Sequence, residues 1–504
     1  MEMKRMLAIM MALSLVLVMI AGCGDSDNES SAPAASSSAS PQASAGQQLD
    51  PVELTWYYPL TQLQADQQKV EDEVNKYIKA KLNATVALKP VAVGDYVQKM
   101  NTILAAGEKF DILWTGYMLH TEVLVRKGAL LDIDDLVTKY APQLKADVPQ
   151  SIWDGLKVDG KLYGIPNQQI NGLRTGVLVQ KRFADKYKLD PAAIKKMEDL
   201  EPFLESVKQN EPQIIPYGNF GNQYYPVSVT HWTVSVGSDY HFFVKKNDPG
   251  YQLLRYPEED LMNYKLASKW YKAGYIHKDA ASSKMSDFEP KGLIAVTGSN
   301  TLKPGVEQEQ KGKNGGQDVI AIPLEEWRTN GYSDSSNQAI SKTSKNAERA
   351  MMLLNLVNTD PYLYNLLANG IEGTHYEKVS EQVVKAKADS RYKPNMDWVF
   401  GSVFNSYLKE GQPASIWEDT KKINSTAVLN PVGDFKFNSE AVNTEIANLN
   451  AVWGEYKQGL STGTMDFDKT WPTLYERLKK AGEDKYVAEV TKQFNAYLQQ
   501  KGLK

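Results

Sequence analysis

The residues best able to do chemistry in this chain are its flat aromatic rings and the polar groups beside them. Trp56-Tyr57-Tyr58, Trp114 with Tyr117, Tyr224-Tyr225, Trp232, Trp327 and Trp398 fall mostly at expected strand ends or in loops. Such rings stack on sugar faces, while amides, carboxylates and guanidinium groups hydrogen-bond the hydroxyls. Binding pockets in general combine apolar walls with a few placed polar groups. Asn167-Gln168-Gln169 with Arg174, and Asn219–Gln223, are such polar companions. The plain alternative is that each ring packs in a core or a hinge.

Catalytic signatures are sparse. The histidines are His120, His231, His241, His277 and His375, with no HExxH and no pair at i, i+4. GxSxG, Walker A and GxGxxG patterns are absent. Asp132-Ile133-Asp134-Asp135 opens like a calcium loop but lacks Gly at the sixth position and Glu at the twelfth. It reads as a capped helix start. A single cysteine rules out intrachain disulfides, cysteine-based zinc sites and a CxxC redox pair. A net charge of −4 argues against nucleic acid as a partner, which calls for a clustered basic surface. No cofactor, no metal and no enzymatic step is expected.

The N-terminus gives an address. Lys4-Arg5 precedes the apolar run Leu7–Ile20. As a helix that run rises about 21 Å, short of a ~30 Å hydrocarbon core, so it fits a cleaved leader better than a membrane span. Ile20-Ala21-Gly22-Cys23 looks like a bacterial lipobox, with Cys23 the lipidated residue of the mature chain. Residues 1–22 are then a lipoprotein signal peptide. Residues 23–50 are a Ser- and Ala-rich disordered tether outside the cell membrane.

These residues must be positioned by regular elements. Val52, Leu54 and Trp56 alternate as in a strand. Gln64–Leu82 has helical spacing, Ala84–Val91 is strand-like, Asp95 caps a second helix stopped near Gly107, and Phe110–Trp114 is a third strand. That order predicts a parallel α/β unit whose ligands bind beyond the carboxyl ends of the strands. Those ends are Tyr57-Tyr58-Pro59 and Trp114-Thr115-Gly116-Tyr117. Leu293–Thr297 and Val319–Pro323 read as further strands. Asn346–Asn358 and Pro361–Ala368 read as helices, and three more helices follow Asn438.

Together these pieces resemble the extracellular solute-binding lipoproteins of bacterial ABC importers, family 1, in the long LipO-like branch. The resemblance rests on the lipobox, then FDILWTGYM (Phe110–Met118), GALLDIDDLVTKYAP (Gly128–Pro142) and VDGKLYGIP (Val158–Pro166). It continues in ERAMMLLNLVNTDPYLYNLLANGIEGTHYE (Glu348–Glu377). It implies an α/β, two-lobed, type II periplasmic-binding-protein-like fold. Lobe 1 is expected over 52–166 plus 338–397, and lobe 2 over 167–337 plus 398–504 with the C-terminal helices. A multi-segment hinge closes on ligand, and the closed monomer docks on membrane permease subunits.

On this reading the ligand is a small solute, an oligosaccharide. Trp56, Tyr57, Trp114, Tyr117, Trp232 and Trp398 are expected to stack on it. Thr115, Asn167, Gln168, Gln169, Arg174, Glu372 and His375 are expected to supply hydrogen bonds, with a hinge-bracing role open for the last two. Two other classes remain: a lipid-anchored carbohydrate-active enzyme, which needs paired carboxylates about 5–9.5 Å apart, and a subunit that presents ligand to a sensor.

Overall fold

The computed structural model describes residues 49–221, 232–234, 236, 242–247, 249–329, 331 and 335–503. The leader, Cys23, nearly all of the tether, and Asn222–Tyr225 lie outside the described residues.

In Val52–Leu60 the alternating residues Leu54, Trp56, Tyr58 and Leu60 are buried. This strand pairs in parallel with Ala84–Ala92 on one side and Ile112–Gly116 on the other. The connecting helices, Gln67–Leu82 and Val93–Ala105, bury Val70, Val74 and Ile78, and Tyr96, Met100 and Ile103. The second helix starts before Asp95, which sits in its first turn and is not its cap. There the carboxylate still meets the positive end of the helix dipole. The third strand begins later than expected because Asp111 folds back on the first, its carboxylate accepting the Thr55 N–H at 2.9 Å.

Across this sheet the order is 84–92, 52–60, 112–116, 336–340, 165–166. Ser336–Ile340 runs antiparallel to both its neighbours. The chain therefore leaves the sheet at Pro166, builds a second body, and returns at Ser336. One core joins side chains from Leu54 to Ile165 with others from Ala339 to Phe400, including the helices Ala347–Thr359 and Pro361–Asn369. Val399 and Phe400 are fully buried in it, so this body reaches past the expected boundary at residue 397.

The second sheet has the order 319–323, 176–180, 294–299, 215–218. Gly176–Gln180 is antiparallel to both its neighbours, and Ile294–Ser299 is parallel to Ile215–Gly218. A separate core lies against this sheet, with Phe203, Leu204, Tyr217 and Trp270 among its members. The three C-terminal helices, Asn443–Thr462, Phe467–Lys480 and Glu483–Lys501, form a third core with Phe242 and Val244 of the strand Phe242–Lys246. The sequence indicated the helices but not that they carry a core of their own. No helix among the described residues is long and apolar enough to cross a membrane.

At the end of the third strand, Gly116 has φ +127, and a Cβ there would lie 1.9 Å from the Ser335 carbonyl oxygen. Only glycine lets the returning segment approach this closely. Gly116→Ala should cost at least about 2 kcal/mol. Urea melts check this, and an unchanged midpoint would refute the close approach.

Candidate functional site

In open α/β sheets the ligand crevice lies beyond the carboxyl ends of the strands. In the first body that edge carries Leu60, Gly116, Pro166 and the start of the returning strand, Ser336. Tyr117 follows Gly116 directly. Its N–H donates to the Ser335 carbonyl at 3.2 Å, and its ring is 53% exposed. Beneath it Trp114 is fully buried, edge-on to Tyr117 at 5.6 Å and to Trp398 at 5.8 Å. Tyr117 and Trp398 are 6.3 Å apart. Three of the expected aromatics thus form one cluster, but only Tyr117 and the half-buried Trp398 are open to a ligand. Trp114 is their support.

A buried polar lattice holds this cluster. Trp114 Nε1 donates to Ser336 Oγ at 2.7 Å, and Ser336 Oγ donates to the Trp398 carbonyl at 3.0 Å. Asn167 Nδ2 reaches the Val399 carbonyl at 2.8 Å and Ser336 Oγ at 3.0 Å. Gln338 Nε2 donates to the Val399 carbonyl at 2.5 Å while its Oε1 accepts Trp56 Nε1 at 2.9 Å. Buried polar groups without partners are costly, so each bond fixes the turn that carries Trp398.

The expectation of direct ligand contact is therefore corrected for several residues. Trp56, Trp114 and Asn167 are fully buried in the lattice. Thr115 is buried too, its hydroxyl 3.2 Å from that of Thr121. Tyr57 packs edge-on against Phe110 at 5.6 Å within the strand. Gln168 and Gln169 keep half-buried side chains, while their carbonyls are bonded, Gln168 O accepting from Val403 N and Gln169 O from Asn424 Nδ2. They tie the first crossing between the bodies to the third. Ser336 and Gln338 were missed, since nothing in a five-residue polar strand marks it as the lattice centre.

Glu372 is exposed and lies 3.6 Å from Lys378. His375 is buried and has no open face for a ligand. Its Nδ1 accepts the Ile371 N–H at 2.9 Å, and its Nε2 is 3.3 Å from Asp66 Oδ2. It braces the loop 371–376 against the first strand's connection.

The second body presents the matching edge. Arg174 leads into the strand Gly176–Gln180, and Thr301 follows the strand Ile294–Ser299. Glu325 and Trp327 follow the strand Val319–Pro323. Arg174 and Thr301 form a backbone bridge, and Arg174 O accepts the Leu302 N–H at 2.9 Å. Arg174 Nε donates to the Glu325 carbonyl at 3.0 Å, and its guanidinium lies 5.7 Å from the Trp327 ring centre. Arg328 lies 5.2 Å over the Trp232 ring. Lys303 is 2.8 Å from Glu309, which also meets Lys313 at 2.6 Å. Burial alone would raise the Glu309 carboxyl, but the two ammonium groups outweigh it and pull it down to about 2. The negative charge of Asp397, beside Trp398, also acts on Lys303, which links the two edges electrostatically.

Two α/β bodies, each with its own sheet and core and joined by three crossings, are the architecture of a two-lobed solute-binding protein. Residues 60–362 match the profile of the bacterial extracellular solute-binding proteins, and the chain belongs to that family. Residues 431–499, which take in most of the three C-terminal helices and the segment before them, match a domain of unknown function. The chain is 28% identical over 443 residues to a carbohydrate ABC transporter substrate-binding protein of Streptococcus pneumoniae, covering 85% of this chain and 87% of the relative. It is 24% identical to the polygalacturonan/rhamnogalacturonan-binding protein YtcQ of Bacillus subtilis, covering 77% and 81%. The crystal structure of the N-glycan transport solute-binding protein NgtS from Streptococcus pneumoniae, in complex with Man5GlcNAc, is similar at TM-score 0.75 and 27% identity. The match covers 90% of this chain and 100% of that one. The fold is the type II periplasmic-binding-protein-like one that the sequence indicated.

The His375 brace makes a pH prediction. Burial would raise the Asp66 pKa, but hydrogen bonds from Lys69 and His375 and the charges of Lys69 and Arg391 hold it below the usual carboxylate range. A depressed folded pKa adds stability above the unfolded value near ~3.9, lost as pH falls through the folded value. The stability gap between wild type and Asp66→Asn should therefore be widest near neutrality and narrow below about pH 4. Urea melts across pH measure it, and a constant gap would refute the assignment.

Proposed function

We propose that this chain captures an extracellular oligosaccharide between its lobes and delivers it to the membrane permease of an ABC importer. One observation carries the reading: Tyr117 and Trp398 stand open at the carboxyl edge of the first sheet on a buried Trp114. Flat rings cover the C–H faces of sugars, while guanidinium and amide groups take the hydroxyls. The relatives support a glycan, since one is a carbohydrate transporter's binding subunit and NgtS was crystallised with Man5GlcNAc. The family is one of binding proteins, and the chain acts by closing on its ligand without altering it. In this proposal Cys23 carries the lipid that keeps the monomer at the outer face of the cell membrane, and Trp232 with Arg328 extends the second-lobe wall.

Thermal shift of the full-length protein against a glycan panel, with product analysis of each hit, tests this. A ligand at 100 times its Kd adds about 2.7 kcal/mol to stability. A stabilising glycan recovered intact is the expected result, and a cleaved one would make the protein an enzyme. For such a glycan, Tyr117→Ala and Trp398→Ala should each weaken binding about tenfold, ~1.4 kcal/mol, by calorimetry. Trp56→Phe should leave affinity unchanged but lower stability by about 1–3 kcal/mol, because it strips Gln338 Oε1 of its partner. Equal loss of affinity in all three would remove the two-ring platform from the site.

A further inference from the structure

We propose that Arg174 reads a carboxylate on the ligand, so that the preferred oligosaccharide is an acidic one. This rests on the oligosaccharide reading and sharpens it. A guanidinium has five N–H donors in a planar fork. In Arg174 the Nε donor is fixed on the Glu325 carbonyl at 3.0 Å. No carboxylate oxygen among the described residues lies within 4.0 Å of this side chain. Other arginines of this protein are used up internally. Arg255 Nε meets Glu483 at 2.7 Å, Arg477 forks onto both oxygens of Glu455, and Arg349 Nη1 serves the carbonyls of Asp50, Leu82 and Asn83.

Arg174 differs in place as well as in partners. It stands half-buried just ahead of the strand Gly176–Gln180, at the edge of the second sheet where the strands Ile294–Ser299 and Val319–Pro323 end. With Nε anchored and the Trp327 ring 5.7 Å away, its orientation is set in advance. The two terminal amino groups then offer parallel donors, the pattern that a carboxylate accepts bidentately. The indole also displaces water, which strengthens a charged contact there. A neutral diol would use the donors but not the charge.

The test is calorimetry of the full-length protein with matched probes: trigalacturonate against galactotriose, sialyllactose against lactose, and glucuronate-bearing against unsubstituted xylo-oligosaccharide. At least one acidic member should bind about tenfold or more tightly than its neutral partner at low salt. That advantage should shrink as sodium chloride rises. Arg174→Gln should erase the advantage by weakening the acidic member about tenfold more than the neutral one, which loses only hydrogen bonds, and Arg174→Lys, which keeps the charge without the fork, should keep part of it. Thermal melts establish that both variants fold. Neutral members binding as tightly throughout would overturn the proposal, as would equal losses for both members in Arg174→Gln. Failure of every glycan, acidic and neutral, would overturn the oligosaccharide reading and this proposal with it.

Discussion

Ser336 Oγ stands where three parts of the chain meet: the strand returning from the second lobe, the first crossing at Asn167, and the turn that carries Trp398. A hydroxyl has one donor and two acceptor sites. All three are used, with Trp114 and Asn167 donating to it and the Trp398 carbonyl receiving its proton. Because the group is buried, none of these partners has water as a substitute. The position of the exposed ring pair, the seating of the returning strand and the start of the hinge therefore depend on one side chain.

The lattice explains how rigidity and motion coexist. On the first-lobe side the crossings at Asn167, Ser336 and Val399 are locked by side chains. On the second-lobe side the same three paths run side by side as a short ribbon, with Leu173 bridged to Arg328 and Arg328 paired with Val428. That ribbon is held by backbone bonds with a few side-chain ties from Asn424 and Arg174, and short ribbons of this kind can bend by small φ/ψ changes spread over several residues.

Much of this was legible from residue order, and the limits are physical. The elements from Val52 to Gly116 declared themselves because each buries one face, leaving a period in the sequence. The helix Ala347–Thr359 did so for the same reason. Aromatic residues at expected strand ends drew attention to the carboxyl edge of the first sheet, where Tyr117 stands open beside Trp398. What stayed hidden was which rings are covered. Trp56 and Tyr117 look alike in a sequence, yet one is buried and the other is 53% exposed, and the difference lies in partners hundreds of positions away. Ser336-Asn337-Gln338 reads as an ordinary polar loop, because its apolar surroundings come from other segments. The third core was equally hidden, as its strands and its helices lie about two hundred residues apart in the chain.

The returning strand has a consequence for how the molecule is made. Ser336–Ile340 covers the flank of Ile112–Gly116, and Trp114 waits 222 positions for its partner Ser336. Until that segment arrives, the first sheet ends in a bare row of amide and carbonyl groups next to an uncovered tryptophan. Such edges are templates for pairing with another chain. Closing so long a loop before the contact rewards it is also slow. A nascent chain emerging N-terminus first thus passes through a stage in which its first lobe is sticky and unfinished while its second lobe is still being supplied.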